Sequence, residues 1–144
     1  MTYVLAIDPG KKAGVARFGD EDLIEALLVS PDKLPGAPQA DKLVIERPTI
    51  YPGSRIRPSS IITLSIDVGR LVQWVAAKNP NIEIEYVQPR RWKGQRPKNV
   101  DCRYTLSLLN PAEERIVNDS RCPPSQLHNV IDAIGIGLWA LGRR

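Results

Sequence analysis

Apolar residues recur along the chain in short blocks, several of them ending in an acid. Residues 3–8, Tyr-Val-Leu-Ala-Ile-Asp, form a nearly continuous apolar run that stops at a carboxylate and enters a Pro-Gly turn. A second short run follows at about 14–18 and a third at about 23–29. Runs of this length, rich in strand formers and bounded by turn residues, predict three consecutive strands. The third contains Glu-Ala-Leu-Leu, which also suits a helical turn, but its short connection to the second favours a meander. Residues 31–41 hold Pro31, Pro35, Gly36 and Pro38 and are expected as a loop. Leu43-Val44-Ile45-Glu46 then repeats the logic of the first strand, with buried strand formers and an acid at the exit.

The second half changes period. Residues 47–60 are rich in proline and arginine and predict a long loop, a kind of segment that is usually functional. Ser59 or Ser60 can cap a helix reaching about Lys78, with Ile62, Ile66, Leu71 or Val72, and Val75 toward the core. Asn79-Pro80 ends it, and residues 82–87 alternate as a strand with one wet face. Residues 88–98 are expected as a basic loop around Trp92, followed by helices at about 99–109 and 111–117. Ser125 is the expected cap of a final helix at about 126–141, apolar almost all round and therefore buried. Gly135 and Gly137 each cost up to ~1 kcal/mol inside a helix, a cost that close packing against a sheet would offset. Strands then helices in this order predict an α/β chain, a mixed sheet covered by helices.

Composition narrows this only a little. One domain spanning 1–144 is expected, long enough to bury roughly 70% of the unfolded chain's surface. No long apolar run predicts a membrane span and no charged leader precedes the first strand, so the expectation is a cytoplasmic protein without a membrane partner. Cys102 and Cys122 stand far apart beside a single histidine, which predicts packing roles and no zinc motif. The net charge of +4 is modest, but its distribution is not. Arg90, Arg91, Lys93, Arg96, Lys98 and Arg103 surround the one acid Asp101, and Arg47, Arg55 and Arg57 form a second group. Such clustering is the footprint of a polyanion-binding surface.

Three acids fall where acids are unusual. Asp8 and Glu46 end core strands, and Asp132 lies on the buried last helix. If the two strands are neighbours, their acids emerge side by side. Asn129 and Asp132 are spaced i, i+3 and share a helix face, while His128 nearly shares it. Taken singly, each acid has a plainer reading: Asp8 as a turn residue, Glu46 as an arginine partner, Asp132 as a satisfied core group. Taken together, converging carboxylates require a compensating cation, and hard oxygen ligands suit Mg²⁺ or Mn²⁺. A pair of such ions can drive phosphodiester hydrolysis.

The segments AIDPGKKAGVA, LVIERP and HNVIDAIGIGLWALGR, in this order, resemble the RuvC-type Holliday junction resolvases of the RNase H-like superfamily. With WKGQRPK at 92–98 the resemblance is closer to the RuvC-like proteins of bacteriophages. The resemblance implies a five-stranded mixed sheet in the order 3-2-1-4-5 with helices on both faces. It also implies a homodimer that cuts four-way or branched DNA with Mg²⁺ or Mn²⁺, two ions per active site, in a bacterial or phage-infected cell. It places catalytic and metal-binding roles on Asp8, Glu46, Asn129 and Asp132. Arg47, Tyr51, Arg55, Arg57, Arg90, Arg91, Trp92, Lys93, Arg96 and Lys98 become the candidates for DNA contact, with Tyr51, Trp92 and Phe18 as aromatics able to stack on a base, although ordinary packing is the plainer reading of Trp92 and Phe18.

One position departs from the family pattern. Where Asp or His is usual, three residues before the last acid, this chain has Asn129. An amide oxygen can bind a metal but carries no charge and cannot act as a base. Three readings follow: Asn129 is tolerated, His128 takes its place, or the chain is an inactivated form. The competing functions are a non-catalytic junction-binding module and an RNase H-like nuclease acting on structured RNA. A sugar-kinase-like half is a remote third, since the chain is short for that architecture.

Overall fold

Alternation along the central strands sends apolar side chains to both sides of one sheet. In β1 (Tyr3–Asp8), Val4 and Ala6 enter one core while Leu5 and Ile7 enter another. The same split separates Ala16 and Phe18 from Ala13 and Val15 in β2 (Ala13–Gly19), and Val44 from Leu43 and Ile45 in β4 (Lys42–Glu46). A sheet buried on both faces needs a helical layer on each, and the structure, a computed structural model describing residues 1–144, has both.

The strand order is β3-β2-β1-β4-β5, with β3 at Asp22–Val29 and β5 at Glu83–Val87. The first three strands form an antiparallel meander, and β4 and β5 add in parallel to the free side of β1. Residues 22–29 are a strand rather than a helical turn. Asp20 and Glu21 both adopt positive φ, 48° and 78°, as a two-residue hairpin turn requires. Asp20 also accepts the Thr2 amide at 2.9 Å.

Helix α1 (Pro58–Lys78) covers one face through Val68, Leu71 and Val75. It differs from the sequence expectation in two ways. Pro58 occupies the first turn and Arg57 the cap position, so Ser59 and Ser60 lie inside the helix and cap nothing. Ile62 and Ile66 are 61% and 53% exposed rather than in the core. The reason is length. A helix of 21 residues extends about 31 Å, whereas the five residues of β4 extend about 17 Å, so the first turns overhang the sheet. By length and composition α1 could also span a membrane, yet one of its stripes packs on the sheet. Asn79 finishes the helix by donating to Pro38 O and Val75 O while accepting the Ala40 amide, which ties down the proline-rich loop.

The opposite face carries α2 (Pro89–Lys93), α3 (Lys98–Ser107), α4 (Pro111–Asn118) and α5 (Leu127–Ala140). The segment expected as a basic loop at 88–98 thus begins as a short helix, because Pro89 starts a turn whose Trp92 is only 3% exposed. Ser125 does not cap α5. It sits in a 3-10 turn, Pro124–Gln126, that leads directly into the helix, leaving Gln126 at the cap position. Gly137 does meet the sheet: a Cβ there would lie 2.1 Å from the Phe18 ring. Gly135 faces elsewhere, toward Trp92, Thr105 and Arg144.

A buried ion pair joins the ends of this layer. Glu113 closes a capping box with Asn110, accepts the Leu23 amide at 2.7 Å, and pairs with Arg143 through two contacts of 2.8 Å. Burial opposes its charge, but Arg143 and the Leu23 and Asn110 amides outweigh burial and lower its pKa to about 2. Breaking a buried pair of this kind costs about 3 kcal/mol, so Glu113→Gln should lower the melting temperature by several degrees at neutral pH. A depressed folded-state pKa means the stabilisation is complete above the ordinary glutamate value of 4.5 and fades as pH falls toward about 2. The gap between wild type and variant, measured by thermal melting across that window, should close in acid.

Candidate active site

Parallel register places two acids together. Ile7 pairs with Ile45, so Asp8 and Glu46 are the next residues on adjacent strands, both at the C-terminal rim of the sheet. Side-chain alternation puts them on the side of Ala6 and Val44, the face covered by α5. Asp8 stands opposite Gly14 on β2, and a Cβ on Gly14 would lie 1.9 Å from the carbonyl oxygen of Asn129. The start of α5 is thereby held against the sheet next to Asp8. Asp132, one turn on, is buried on the same helix.

The electrostatics report this convergence. Burial raises the Asp8 pKa well above the ordinary carboxylate value, and the charges of Glu46 and Asp132 raise it further. Burial likewise raises Glu46, with Asp132 adding to it and a hydrogen bond from Trp92 opposing it. Asp132 is raised by burial and by Asp101, against the charges of Lys93, Lys98 and His128. Hydrogen bonding offsets the repulsion only at Glu46, where Trp92 Nε1 donates to Oε2 at 2.7 Å. Lys93 and Lys98 lower both aspartates, and Lys93 also lowers Glu46. These two lysines, grouped in the sequence with the phosphate contacts, therefore also act on the acids.

The donor set fits a divalent cation. It consists of hard oxygens, its acids repel one another, and no hydrogen bond satisfies Asp8 or Asp132. Asn129 spends its Nδ2 on Gln126 Oε1 at 2.9 Å, which leaves Oδ1 as the atom that could bind a cation. His128 is half-buried and near enough for its charge to act on Asp132. The acids converge without forming a closed cage, since no three Asp, Glu, His or Cys side chains are drawn together around a common point.

Around this rim the basic residues divide. Arg47, Arg55, Arg57, Arg90, Arg91, Arg96 and Lys98 are exposed, and Lys93 is half-buried. Tyr51 is half-buried, with the Arg90 guanidinium 3.9 Å from its ring centroid, so the loop that follows β4 meets α2 at this pair. Arg96 leans on Tyr104 and lies 3.6 Å from Asp101. Phe18 and Trp92 take the plainer packing role, Phe18 fully buried against α5 and Trp92 buried with its indole on Glu46, so Trp92 is corrected as a candidate for DNA contact. A ring in either position offers no face to DNA. Sequence reasoning also passed over Arg144, Thr105 and the buried Asp101, although a lone acid in a basic segment was a visible signal. Cys102 and Cys122 are free thiols; Cys122 packs against the core, and burial, then Asp132 and Asp101, raises the Cys102 pKa.

Asp8→Asn tests the repulsion directly. A raised folded-state pKa means the metal-free fold loses stability as pH climbs above about 4, because the unfolded chain releases its protons first. Without metal at neutral pH the variant should melt about 3 °C higher than wild type, the effect of about 1 kcal/mol in a chain of this size. A lower melting temperature would mean that Asp8 is held by a favourable partner in the metal-free fold.

No family model matches the sequence, and neither does any curated protein sequence. Solved structures do. The chain is similar to RuvC of Thermus thermophilus in complex with a Holliday junction substrate, with a TM-score of 0.59 at 16% identity over 99% of this chain and 98% of that one. It is similar to the fowlpox virus Holliday junction resolvase, with a TM-score of 0.55 at 13% identity and 98% of both chains covered. The complex of the fowlpox enzyme with Holliday junction DNA gives a TM-score of 0.57 at 13% identity, covering 98% of this chain and 97% of that one. At these identities the likeness concerns the backbone path, and it runs nearly end to end: the chain has the RuvC-type resolvase fold, a five-stranded mixed sheet flanked by helices on both faces.

Proposed function

We propose that the chain is a single-domain, metal-dependent endonuclease that resolves Holliday junctions and related branched DNA. The observation that carries this reading is the convergence of Asp8, Glu46 and Asp132 on one rim, where burial raises all three, Glu46 and Asp132 further raise Asp8, and Asp132 further raises Glu46. Similarity to two solved resolvase complexes with junction DNA supports the substrate class.

In this reading Asp8, Glu46, Asp132 and Asn129 Oδ1 hold Mg²⁺ or Mn²⁺, two ions in the full site. The bound metal supplies an activated water and charge stabilisation at the scissile phosphate. The chain's own residues do the rest. Lys93 and Lys98 balance the acids and draw the phosphate into the rim. Arg47, Arg55, Arg57, Arg90, Arg91 and Arg96 bind flanking phosphates without reading sequence. Tyr51, with one ring face against Arg90, is the remaining aromatic able to meet an unpaired base. His128 stands behind Asp132 rather than in the ligand set. The setting is the cytoplasm of a bacterial or phage-infected cell. The exposed Ile62 and Ile66 on the overhanging turns of α1 support a homodimer, which two symmetric cuts require.

Asn129 favours a second reading, a junction-binding module that does not cut. Cleavage of a synthetic four-way junction with Mg²⁺ or Mn²⁺ separates the two. Wild type should cut, and Asp8→Asn and Asp132→Asn should each reduce cutting at least 100-fold while junction binding persists. A wild-type chain that binds without cutting, with activity appearing in Asn129→Asp, would establish the second reading. A folded RNA cut faster than the junction would redirect the substrate assignment to RNA. Light scattering of Ile62→Asp/Ile66→Asp should show a monomer where wild type is a dimer.

A further inference from the structure

Trp92 lies in the first basic segment, yet its side chain is 3% exposed and its one polar atom meets an acid of the site. The indole Nε1 donates to Glu46 Oε2 at 2.7 Å. A ring needed only to fill a core would be served by phenylalanine. Here the single donor of the indole is spent on one of the two Glu46 oxygens.

The ring is itself held from behind. The Arg144 guanidinium sits 5.2 Å from the Trp92 ring centroid, and its Nε donates to the Trp92 carbonyl at 3.0 Å. Its two terminal nitrogens go to Thr105 Oγ1 and Asp101 Oδ1. All of these groups are buried: the Arg144 and Asp101 side chains are each 2% exposed, and Thr105 is fully buried. Gly135 leaves the slot open, since a Cβ there would come within 2.7 Å of the indole and 3.2 Å of the Arg144 guanidinium. A buried cation with fixed partners is a rigid support, and outer partners of this kind orient metal ligands.

We propose that Trp92 is a positioning residue for Glu46: its indole N–H holds Oε2, leaving Oε1 to face a divalent cation, and the Arg144–Asp101–Thr105 cluster holds the indole in place. The inference rests on the metal-site reading above. Glu46 becomes a one-oxygen ligand whose free lone pairs have a set direction. A chain in which Glu46 swung freely would have to order it on binding, at an entropic cost.

Calorimetric Mn²⁺ titrations of wild type, Glu46→Gln and Trp92→Phe provide the test. Trp92→Phe retains an aromatic ring but loses the donor, and it should weaken Mn²⁺ binding on the order of 10- to 100-fold, the usual effect of losing a ligand's supporting partner. A folded Trp92→Phe that binds Mn²⁺ as wild type does, while Glu46→Gln binds weakly, overturns the positioning role and leaves the metal site standing. Unchanged binding in Glu46→Gln overturns the metal-site reading and this role with it. A second measurement uses the wild-type side chain, in case Trp92→Phe does not fold. The chain has three tryptophans, whose indole N–H signals are assigned through Trp74→Phe and Trp139→Phe. Saturating Mg²⁺ should shift the Trp92 signal, whereas the Trp74 signal, whose donor goes to Pro35 O at 2.7 Å, should stay in place. A Trp92 signal unmoved by an ion whose binding depends on Glu46 overturns the proposal.

Discussion

The absence of a side chain at position 14 sets the geometry of everything around it. Any Cβ there would collide with the backbone of Asn129, so glycine is what lets the first turn of α5 rest on β2. Gly14 is also the residue directly across from Asp8. One contact therefore joins three things: the strand that carries the first acid, the strand beside it, and the helix that carries the last acid. Gly137 repeats the device farther along α5, where the helix backbone meets the ring of Phe18. The intrinsic cost of glycine in a helix, up to ~1 kcal/mol, is offset by burial of the helix along its length.

The polar groups that the core encloses fall into two kinds. Glu113 is satisfied on every side, by two backbone amides and by Arg143, and its charge is strongly favoured. Asp101 is paired through one oxygen while the other has no partner. Asp8 and Asp132 have neither hydrogen bonds nor direct cation contacts to balance their burial. Groups of the first kind hold a fold together; groups of the second kind store unfavourable charge that a ligand can relieve. Asp8 and Asp132 lie together at the rim, on the end of β1 and on α5, whereas Glu113 is on α4.

Much of this was legible in the residue pattern because the signals were local. Strand runs that end in acids place those acids at a rim whatever the rest of the chain does, and run length and connection length marked out the strands and their opening meander, while the spatial order of all five was what the resemblance implied. What was not legible depended on distances between elements. Whether Ile62 and Ile66 were buried turned on how far a long helix outruns a short strand, which no periodicity reveals. Trp92 stood among the candidates for DNA contact because its sequence neighbours are basic. Its burial comes from Gly135, more than forty positions away, and from Arg144. The partnership of Glu113 with Leu23 and Arg143 joins parts of the chain 90 and 30 residues apart, and the capping box alone would have given it a purely local role.

The acids also differ in when the ribosome makes them. Asp8 and Glu46 come from β1 and β4, while Asp132 comes from α5 and Arg144, which braces Trp92, follows it. The meander can pair as it emerges, but its α5 face stays uncovered until the helix that shields it has been made. A nascent chain that lacks α5 therefore displays Asp8 and Glu46 alone on an open, apolar sheet face. The carboxylate rim cannot be assembled piecemeal during synthesis: until α5 has been made, Asp8 and Glu46 lack Asp132 beside them and one face of the sheet lacks its cover.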